Sequence, residues 1–304
     1  MSNVIDSNRV LVLGGSGFLG TALLEAMSGK GREVLSASRK PGERPRAEGD
    51  DVRDVALDLE NAGAATTLIQ LLQPKAVLLV AALSRMGDCE QNPERAQRLN
   101  AEAASEVARA CALADIRLLY TSTDLVFDGE PPRESGYVES DPVSANSIYG
   151  QSKAAGEAAV LNAHPEALVV RLPLLFGNSR GRGLGASDSL LAALAHGDSP
   201  GLFTDEWRTP LDVDQAAKAL VELLDGSQKG RLHLAGPERI SRYDFGCAVL
   251  KANHRTSEIN SLRAVTRADL GLADRPRDVS LDTSLARDLI RAKILGVNAS
   301  LEKP

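Results

Sequence analysis

The chain has 304 residues, which is long enough to bury the core of one large domain or of two medium ones. Hydrophobic residues at 43% and charged residues at 25% are ordinary for a soluble globular protein, and a net charge of −6 argues against binding to nucleic acid or to an acidic membrane. The N-terminal stretch MSNVIDSNRV has no signal-peptide pattern, residues 76–83 are too few to span a bilayer, and three scattered cysteines suggest reduced thiols, so we expect a cytoplasmic protein.

Short apolar runs alternate with longer helical patterns over the first 175 residues. The runs show little polar alternation and occupy residues 9–13, 33–37, 55–59, 76–80, 116–122 and 167–172. The helical patterns between them occupy residues 17–29, 64–72, 93–114 and a segment around Tyr149. Strands that are apolar on both faces are typical of a parallel sheet covered by helices. The pattern therefore predicts an α/β fold, a Rossmann-like doubly wound parallel sheet over residues 1–175.

The regular alternation ends near residue 175. Residues 177–188 are rich in glycine and polar side chains, which is typical of a mobile loop. Shorter elements follow, namely a helix after Asp212, a strand at 231–236 and a helix at 241–252. We therefore expect residues 176–304 to form a smaller C-terminal substrate-binding domain, with some segments packing back on the Rossmann-like domain.

A glycine-rich turn joins the first strand to the first helix. Its glycines stand three residues apart, and the turn contains Gly14, Ser16, Gly17, Phe18, Leu19 and Gly20. Glycines at this spacing let backbone amides approach a pyrophosphate at the N-terminus of the helix. Because the turn lies between a predicted strand and a predicted helix, it indicates a dinucleotide-binding site.

The end of the second strand indicates which dinucleotide is bound. NAD sites place a carboxylate there, whereas this strand ends with Ser38, Arg39 and Lys40, which suit the 2′-phosphate of NADP(H). Asp58 and Leu59, at the end of the third strand, are expected beside the adenine. The fourth strand ends beside the cofactor, and its candidate contacts are Ala81, Ala82 and Leu83.

A tyrosine and a lysine lie one helical turn apart in the sequence NSIYGQSKAAGE. Tyr149 and Lys153 are therefore neighbours on one helix face, and Thr123 ends the fifth strand at the sheet edge where ligands bind. An ammonium about 4 Å from a phenol, at an effective dielectric near 20, is worth roughly 4 kcal/mol, which lowers the phenol pKa by about three. Such a phenol can exchange a proton near neutral pH.

This combination resembles the extended branch of the short-chain dehydrogenase/reductase superfamily, and in particular the dTDP-4-dehydrorhamnose reductases. The resemblance covers nearly the whole chain, through residues 81–101, STDLVFDG (122–129), SIYGQSKAAGE (147–157), RLPLLFG (171–177), DEWRTPLDVDQAAKAL (205–220) and RPRDVSLDTS (275–284). It implies that NADPH delivers hydride to a keto carbon while Tyr149 gives a proton to the oxygen. It also implies that Thr123 holds that oxygen, that Lys153 binds the nicotinamide ribose, and that Asn100 supports the site.

The chain departs from related enzymes at two positions. Nucleotide-sugar 4,6-dehydratases carry an acid where this chain has Leu125, so dehydration is disfavoured. Some rhamnose reductases bind magnesium at a dimer contact through a glutamate, and this chain has Gly20 and Thr21 there. The histidines and cysteines show no metal-ligand spacing, so we predict no metal.

The expected partner is a small-molecule substrate, a nucleotide sugar, and a homodimer is left open. An arginine facing the cleft would suit the pyrophosphate of such a substrate through bidentate bonds. The candidate substrate-binding residues are Ser84, Arg85, Asp124, Arg208 and Arg275.

Two alternatives to this function stay open from the sequence. One is an epimerase or reductase that acts on another nucleotide sugar or on a glycosylated metabolite. The other is a non-catalytic NADP-binding subunit, because the regulatory β subunit of methionine adenosyltransferase resembles the same family and keeps the tyrosine and the lysine. Intact motifs therefore do not prove turnover.

Overall fold

The computed structural model describes residues 8–46, 49–272 and 275–302. The described chain folds into two compact units. The first runs up to Ser122 and adds Ser152–Val170 and Leu220–Arg231, and the second comprises Thr123–Gln151, Arg171–Ala219 and the part that follows Arg231. The units therefore alternate along the chain, whereas the sequence prediction placed one boundary after residue 175.

A seven-stranded sheet forms the centre of the fold, in the order β11-β6-β5-β4-β1-β2-β3. The strands are β1 (Arg9–Leu13), β2 (Glu33–Ser38), β3 (Arg53–Ala56), β4 (Ala76–Leu79), β5 (Arg117–Thr123), β6 (Leu168–Leu172), β7 (Leu175–Phe176), β8 (Gly201–Phe203), β9 (Trp207–Arg208), β10 (Leu211–Asp212), β11 (Gly230–His233), β12 (Ile240–Ser241) and β13 (Arg263–Val265). The pairs β3-β2, β2-β1, β1-β4 and β4-β5 are parallel. The predicted Rossmann-like parallel sheet is confirmed.

The α-helices are α1 (Phe18–Met27), α2 (Ala64–Leu72), α3 (Met86–Gln91), α4 (Pro93–Gln97), α5 (Ala103–Leu113), α6 (Ile148–Ala163), α7 (Gly185–Ala195), α8 (Val213–Asp225), α9 (Arg242–Ala252), α10 (Ser284–Leu289) and α11 (Val297–Leu301). Arg98–Glu102 forms a π-helical turn between α4 and α5, and Asp124–Val126, Thr256–Ser261 and Ala268–Leu270 form 3₁₀ turns. Within the described residues, no helix is both long enough and apolar enough to cross a bilayer. The cytoplasmic location stays a prediction.

The apolar runs become strands because both of their faces are covered. All four residues of β4 and the last four of β1 are buried. In the register, Leu11 lies between Leu35 of β2 and Val77 of β4, and all three side chains belong to one apolar core. Continuous burial of this kind explains the absence of polar alternation in the sequence.

The order of the sheet reverses at β1, which lies between β2 and β4. In a doubly wound sheet, the crossover connections leave to opposite sides at such a point, and a crevice opens at the carboxyl ends of the strands. The segments that follow Leu13 and Leu79 therefore border this crevice. They carry the glycine turn and the predicted cofactor contacts of the fourth strand.

The second unit contains short strand pairs and its own core. The pairs are β10-β7, β12-β9 and β13-β8. Phe176 packs edge-on against Phe245 with 5.4 Å between ring centroids, and Leu190 and Val249 are buried in the same cluster. This core joins α7 and α9.

The structure corrects three element boundaries. The loop predicted at 177–188 is wrong over its last four residues, because α7 begins at Gly185. Ser187 and Asp188 in the first turn of α7 accept hydrogen bonds from the amides of Gly177 and Ser179, at 2.9 and 2.7 Å, which binds the preceding loop to the helix. The third strand ends at Ala56 instead of residue 59, and the strand predicted at 231–236 ends at His233.

Candidate active site

The glycine turn is built so that only glycine fits at its key positions. Gly14 has a φ of +101°, and its amide donates to Ala37 O at 2.9 Å. A Cβ on Gly20 would lie 2.1 Å from Gly14 O. These contacts bring α1 directly against the end of β1, which a larger side chain would prevent.

The N-terminus of α1 is suited to an anion. Gly17 caps the helix without a side-chain hydrogen bond, and the first turn of this described helix carries no acidic residue. Phe18 and Leu19 form that first turn, and Ser16 precedes its cap. Helix N-termini of this kind stabilise phosphate groups through their amides and the helix dipole. The turn therefore fits the pyrophosphate of a dinucleotide.

The segment after β2 presents cations to solvent. Ser38 Oγ donates to Lys40 O at 3.2 Å, which folds the segment into a turn. The side chains of Arg39 and Lys40 are 64% and 75% exposed, and their ion pairs are long: 3.8 Å from Arg39 to Glu60 and 3.4 Å from Lys40 to Glu43. Exposed pairs of this length contribute little, so a phosphate can replace them.

The predicted adenine contacts follow β3 in a loop. Asp58 lies two residues beyond the strand, and its Oδ1 accepts from the Glu60 amide at 3.0 Å, while Leu59 is buried. The expectation that Asp58 ends the third strand is therefore wrong, because its carboxylate forms a local turn with the backbone.

Asn100 holds the segment that follows β4. Its side chain accepts from the Leu83 amide and donates to the Leu83 carbonyl, each at 2.9 Å, and it also donates to Ser152 Oγ at 2.9 Å. Asn100 is fully buried in the π-helical turn. This turn fixes the backbone that carries Ala81, Ala82 and Leu83. Ser84 and Arg85 follow as exposed residues before α3.

Tyr149 and Lys153 occupy successive turns of α6, as predicted. The helix start is fixed by Ser147 Oγ, which accepts from the Gly150 amide at 3.1 Å. A Cβ on Gly150 would lie 2.1 Å from Leu125 O, so this glycine lets the first turn approach the 3₁₀ turn after β5. Tyr149 is half-buried in that first turn.

The side chain of Lys153 is almost fully buried, a feature that the helical spacing does not predict. It is 2% exposed, and its Nζ lies 4.0 Å from the ring centroid of Tyr120. Burial lowers the pKa of Lys153 to about 7, and Glu157 opposes this effect. The side chain therefore changes charge close to neutral pH. Sequence reasoning missed Tyr120, whose position depends on tertiary packing.

Thr123 and Asp124 form a buried hydrogen-bonded pair at the end of β5. Thr123 Oγ1 donates to Asp124 Oδ1 at 3.1 Å and accepts from the Leu125 amide at 3.2 Å. Asp124 Oδ2 accepts from Arg208 Nη1 at 2.9 Å. Burial raises the pKa of Asp124, and Arg208 opposes the rise. To hold a substrate oxygen, the Thr123 hydroxyl has to turn its hydrogen away from Asp124.

A cluster of arginines in the second unit has unused hydrogen-bond donors. Within residues 8–46, 49–272 and 275–302, neither Arg208 Nε nor Arg242 Nη1 has a hydrogen-bond partner, although both atoms are buried. Arg275 instead pairs with Glu206, its Nη2 lying 3.3 Å from Oε2. Burial, followed by the charges of Arg208 and Arg275, lowers the pKa of Arg242 to about 10. Arg242 was not predicted, because no motif marks the first residue of α9.

In the described part of the chain, no three His, Cys, Asp or Glu side chains are grouped so that they could hold a metal ion. The predicted absence of a metal stays a prediction.

The parallel sheet and the glycine turn define the Rossmann-like class of α/β proteins. A family profile described as the RmlD substrate binding domain matches residues 8–302. The chain belongs to this family.

Relatives of known name span most of the chain. A probable low-salt glycan biosynthesis reductase, Agl14 of Haloferax volcanii, is 31% identical and covers 90% of this chain and 89% of its own length. The methionine adenosyltransferase 2 subunit beta of Bos taurus is 30% identical, and the match covers 92% of this chain and 82% of the relative. A dTDP-4-dehydrorhamnose reductase of Mycobacterium tuberculosis is 32% identical, and the match covers 81% of this chain and 75% of the relative. The resemblances to dTDP-4-dehydrorhamnose reductases and to the methionine adenosyltransferase β subunit are thereby confirmed.

Solved structures share the fold. A dTDP-4-dehydrorhamnose reductase from Bacillus anthracis, in complex with NADP, superposes with a TM-score of 0.80 at 24% identity, covering 97% of this chain and 98% of its own. A hypothetical dTDP-4-dehydrorhamnose reductase from Sulfolobus tokodaii gives 0.78 at 29% identity, covering 94% and 96%.

Proposed function

We propose that this protein is an NADPH-dependent reductase of a 4-keto nucleotide sugar, with dTDP-4-dehydrorhamnose as its substrate and short-chain dehydrogenase/reductase chemistry. The observation that carries the proposal is the buried Lys153 one helical turn after Tyr149, in a chain whose β1–α1 turn accepts only glycine at Gly20. Relatives named as reductases, from Haloferax volcanii and Mycobacterium tuberculosis, support this class of reaction.

The residues that would hold NADPH are spread along the sheet edge. The amides after Gly17 suit the pyrophosphate, and Ser38, Arg39 and Lys40 suit the 2′-phosphate. Asp58 and Leu83 lie in the segments that follow β3 and β4, where adenine and nicotinamide contacts are expected. When bound, NADPH supplies the hydride that reduces the keto carbon.

Tyr149 is the proton donor in this proposal. Its phenol gives a proton to the substrate oxygen as that oxygen becomes negative, and the nearby Lys153 ammonium favours the resulting phenolate. The pKa of Lys153 is about 7 in the structure. The negative substrate oxygen and the phenolate would raise this pKa and so keep the lysine charged during the reaction. Thr123 donates a hydrogen bond to the same oxygen after releasing Asp124.

The arginine cluster supports a substrate with a diphosphate. Arg208 Nε and Arg242 Nη1 are buried donors without a partner among the described residues, and a diphosphate would supply acceptor oxygens and negative charge to this cluster. Arg275 lies close enough to Arg242 to affect that pKa. We expect Arg242→Gln to raise KM for the sugar nucleotide about tenfold or more with little change in kcat, because the diphosphate is bound before and during reaction.

A regulatory subunit is the second candidate function. Relatives named methionine adenosyltransferase 2 subunit beta match 92% of this chain at 30–31% identity. A protein of this kind would bind NADPH and leave keto sugars unreduced.

A homodimer and a cytoplasmic location are retained as parts of the main proposal.

A substrate panel decides between the two functions. The purified full chain is incubated with NADPH and, separately, with dTDP-4-dehydrorhamnose and with 4-keto sugars carried on UDP and GDP, while NADPH absorbance is followed. The reductase proposal predicts steady loss of absorbance with the dTDP sugar. Binding of NADPH, measured by fluorescence, without oxidation by any sugar would contradict it and favour the regulatory function.

A further inference from the structure

The buried lysine of α6 rests on an aromatic ring of β5. Lys153 Nζ is 4.0 Å from the centroid of the Tyr120 ring, and both side chains are nearly inaccessible, at 2% and 1%. An ammonium within about 6 Å of an aromatic face is attracted by the ring quadrupole, most strongly when solvent is excluded. The Tyr120 ring therefore favours the charged form of Lys153 at a place where burial disfavours it.

The Tyr120 ring is itself held in position by the π-helical turn. Its hydroxyl donates to Asn100 O at 2.8 Å, while the Asn100 side chain binds Leu83 and Ser152. Gly156, on α6, leaves the necessary space, because a Cβ there would lie 2.2 Å from Asn100 O and 2.4 Å from the Tyr120 hydroxyl. Thus α6, β5 and the π-helical turn meet around one aromatic ring.

Charged residues near Lys153 also affect its pKa. Glu157, on the next turn of α6, is 1% exposed and raises the pKa of Lys153. Arg231 partly neutralises this carboxylate, with its Nε 3.2 Å from Oε2. Tyr149 lies on the preceding turn of the same helix, and the side chains of Asn100 and Ser152 are neutral. The Tyr120 ring thus gives the Lys153 ammonium a favourable contact in addition to Glu157.

We propose that Tyr120 is a positioning residue for Lys153, its ring face stabilising the buried ammonium and its hydroxyl fixing the ring to Asn100. The consequence for turnover rests on the proposed reductase function, whereas the effect on the lysine itself does not. Tyr120 touches neither cofactor nor reacting atoms in this role. It acts by keeping Lys153 charged and in place.

The test replaces Tyr120 by phenylalanine and then by mono-, di- and trifluorinated phenylalanines, which keep the ring shape while weakening its negative face. Tyr120→Leu is avoided, because the cavity it leaves could unfold the chain. The pKa of Lys153 is read by NMR of ¹³Cε-labelled lysine, with Lys153→Met giving the assignment. We expect phenylalanine to leave this pKa nearly unchanged and the trifluorinated ring to lower it by about one. An identical pKa across the series would overturn the proposal.

A kinetic measurement on the same variants tests the consequence for turnover. If charged Lys153 is needed, the pH at which kcat/KM falls on the alkaline side should move down in step with the NMR pKa of the free protein. A falling pKa with an unmoved kcat/KM profile would overturn the role in turnover. Should the wild type reduce no keto sugar, the NMR series still decides the contact, so the failure of the function and the failure of this inference are distinguishable.

Discussion

Lys153 is a charged side chain held where charge is costly. It is 2% exposed, and burial lowers its pKa from the ordinary value of 10.5 to about 7. Perturbed groups of this kind concentrate at functional sites, because a residue whose charge responds to its neighbours is useful in proton chemistry. Burial of the charged lysine should lower the free energy of unfolding, and this effect can be measured.

We predict that Lys153→Met is more stable than the wild type at about pH 6, by up to a few kcal/mol. Below about pH 7 the lysine is protonated in both states, so the folded state bears the full burial penalty. Between about 7 and 10.5 the folded state loses the proton first, so wild-type stability rises with pH at up to about 1.4 kcal/mol per pH unit. Urea unfolding at about pH 6, 8 and 10 measures the difference between the two proteins, which should shrink as pH rises. A difference independent of pH would show that the lysine does not titrate in this window.

Arg39 provides a second test at the scale of one side chain. We predict that Arg39→Asp weakens NADPH binding roughly ten- to a hundredfold and changes NADH binding far less, because a charge-assisted hydrogen bond is worth about 1.5–3 kcal/mol. Fluorescence titration with both cofactors measures this. Arg53→Asp is the matched control, since Arg53 is 70% exposed at the start of β3, away from the carboxyl end of that strand. Equal wild-type affinity for NADH and NADPH would refute the role of Arg39.

At the scale of elements, α1, α6 and the π-helical turn are placed by glycines and by one buried amide. Gly20 allows α1 to approach β1, Gly150 allows the start of α6 to approach Leu125, and Gly156 leaves room for Tyr120. Asn100 meanwhile fixes Leu83 on the segment after β4. These contacts leave no room for an added Cβ at Gly20, Gly150 or Gly156, so small substitutions there should have large effects.

The element-scale prediction concerns Gly20→Ala. The added Cβ would lie 2.1 Å from Gly14 O, so α1 has to move away from β1. We expect about 1–3 kcal/mol lower stability and loss of NADPH binding by at least tenfold. Gly29→Ala, at the other end of α1, is the control: nothing described lies within 4 Å of its Cβ, and its φ of +69° limits the cost to about 1 kcal/mol. Similar losses of NADPH affinity in both variants would contradict the assignment of the turn.

At the scale of the whole molecule, local patterns allowed the sheet and much of the candidate site to be predicted. The turn from Gly14 to Gly20 is contiguous, and Tyr149 and Lys153 are related by helical spacing alone, so both could be found without tertiary information. The uninterrupted apolar runs likewise predicted strands buried on both faces, as the last four residues of β1 and all of β4 are.

Features that depend on distant contacts could not be predicted. Asp124 and Arg208 are 84 residues apart and meet only after folding. The burial of Lys153 over Tyr120, and the unsatisfied Nη1 of Arg242, likewise depend on how elements pack. No local spacing records such contacts, which explains why the sequence identified Lys153 without its burial and overlooked Tyr120 and Arg242.

The most direct test of the central claim compares wild type and Tyr149→Phe with NADPH and dTDP-4-dehydrorhamnose in single-turnover reactions. Removing the phenolic hydroxyl keeps the ring and removes the proton donor, and general acid catalysis typically contributes about 10²- to 10⁴-fold. We predict a fall of that size in the rate of NADPH oxidation, with NADPH affinity nearly unchanged. Equal rates in the two proteins, or no oxidation by the wild type, would contradict the account.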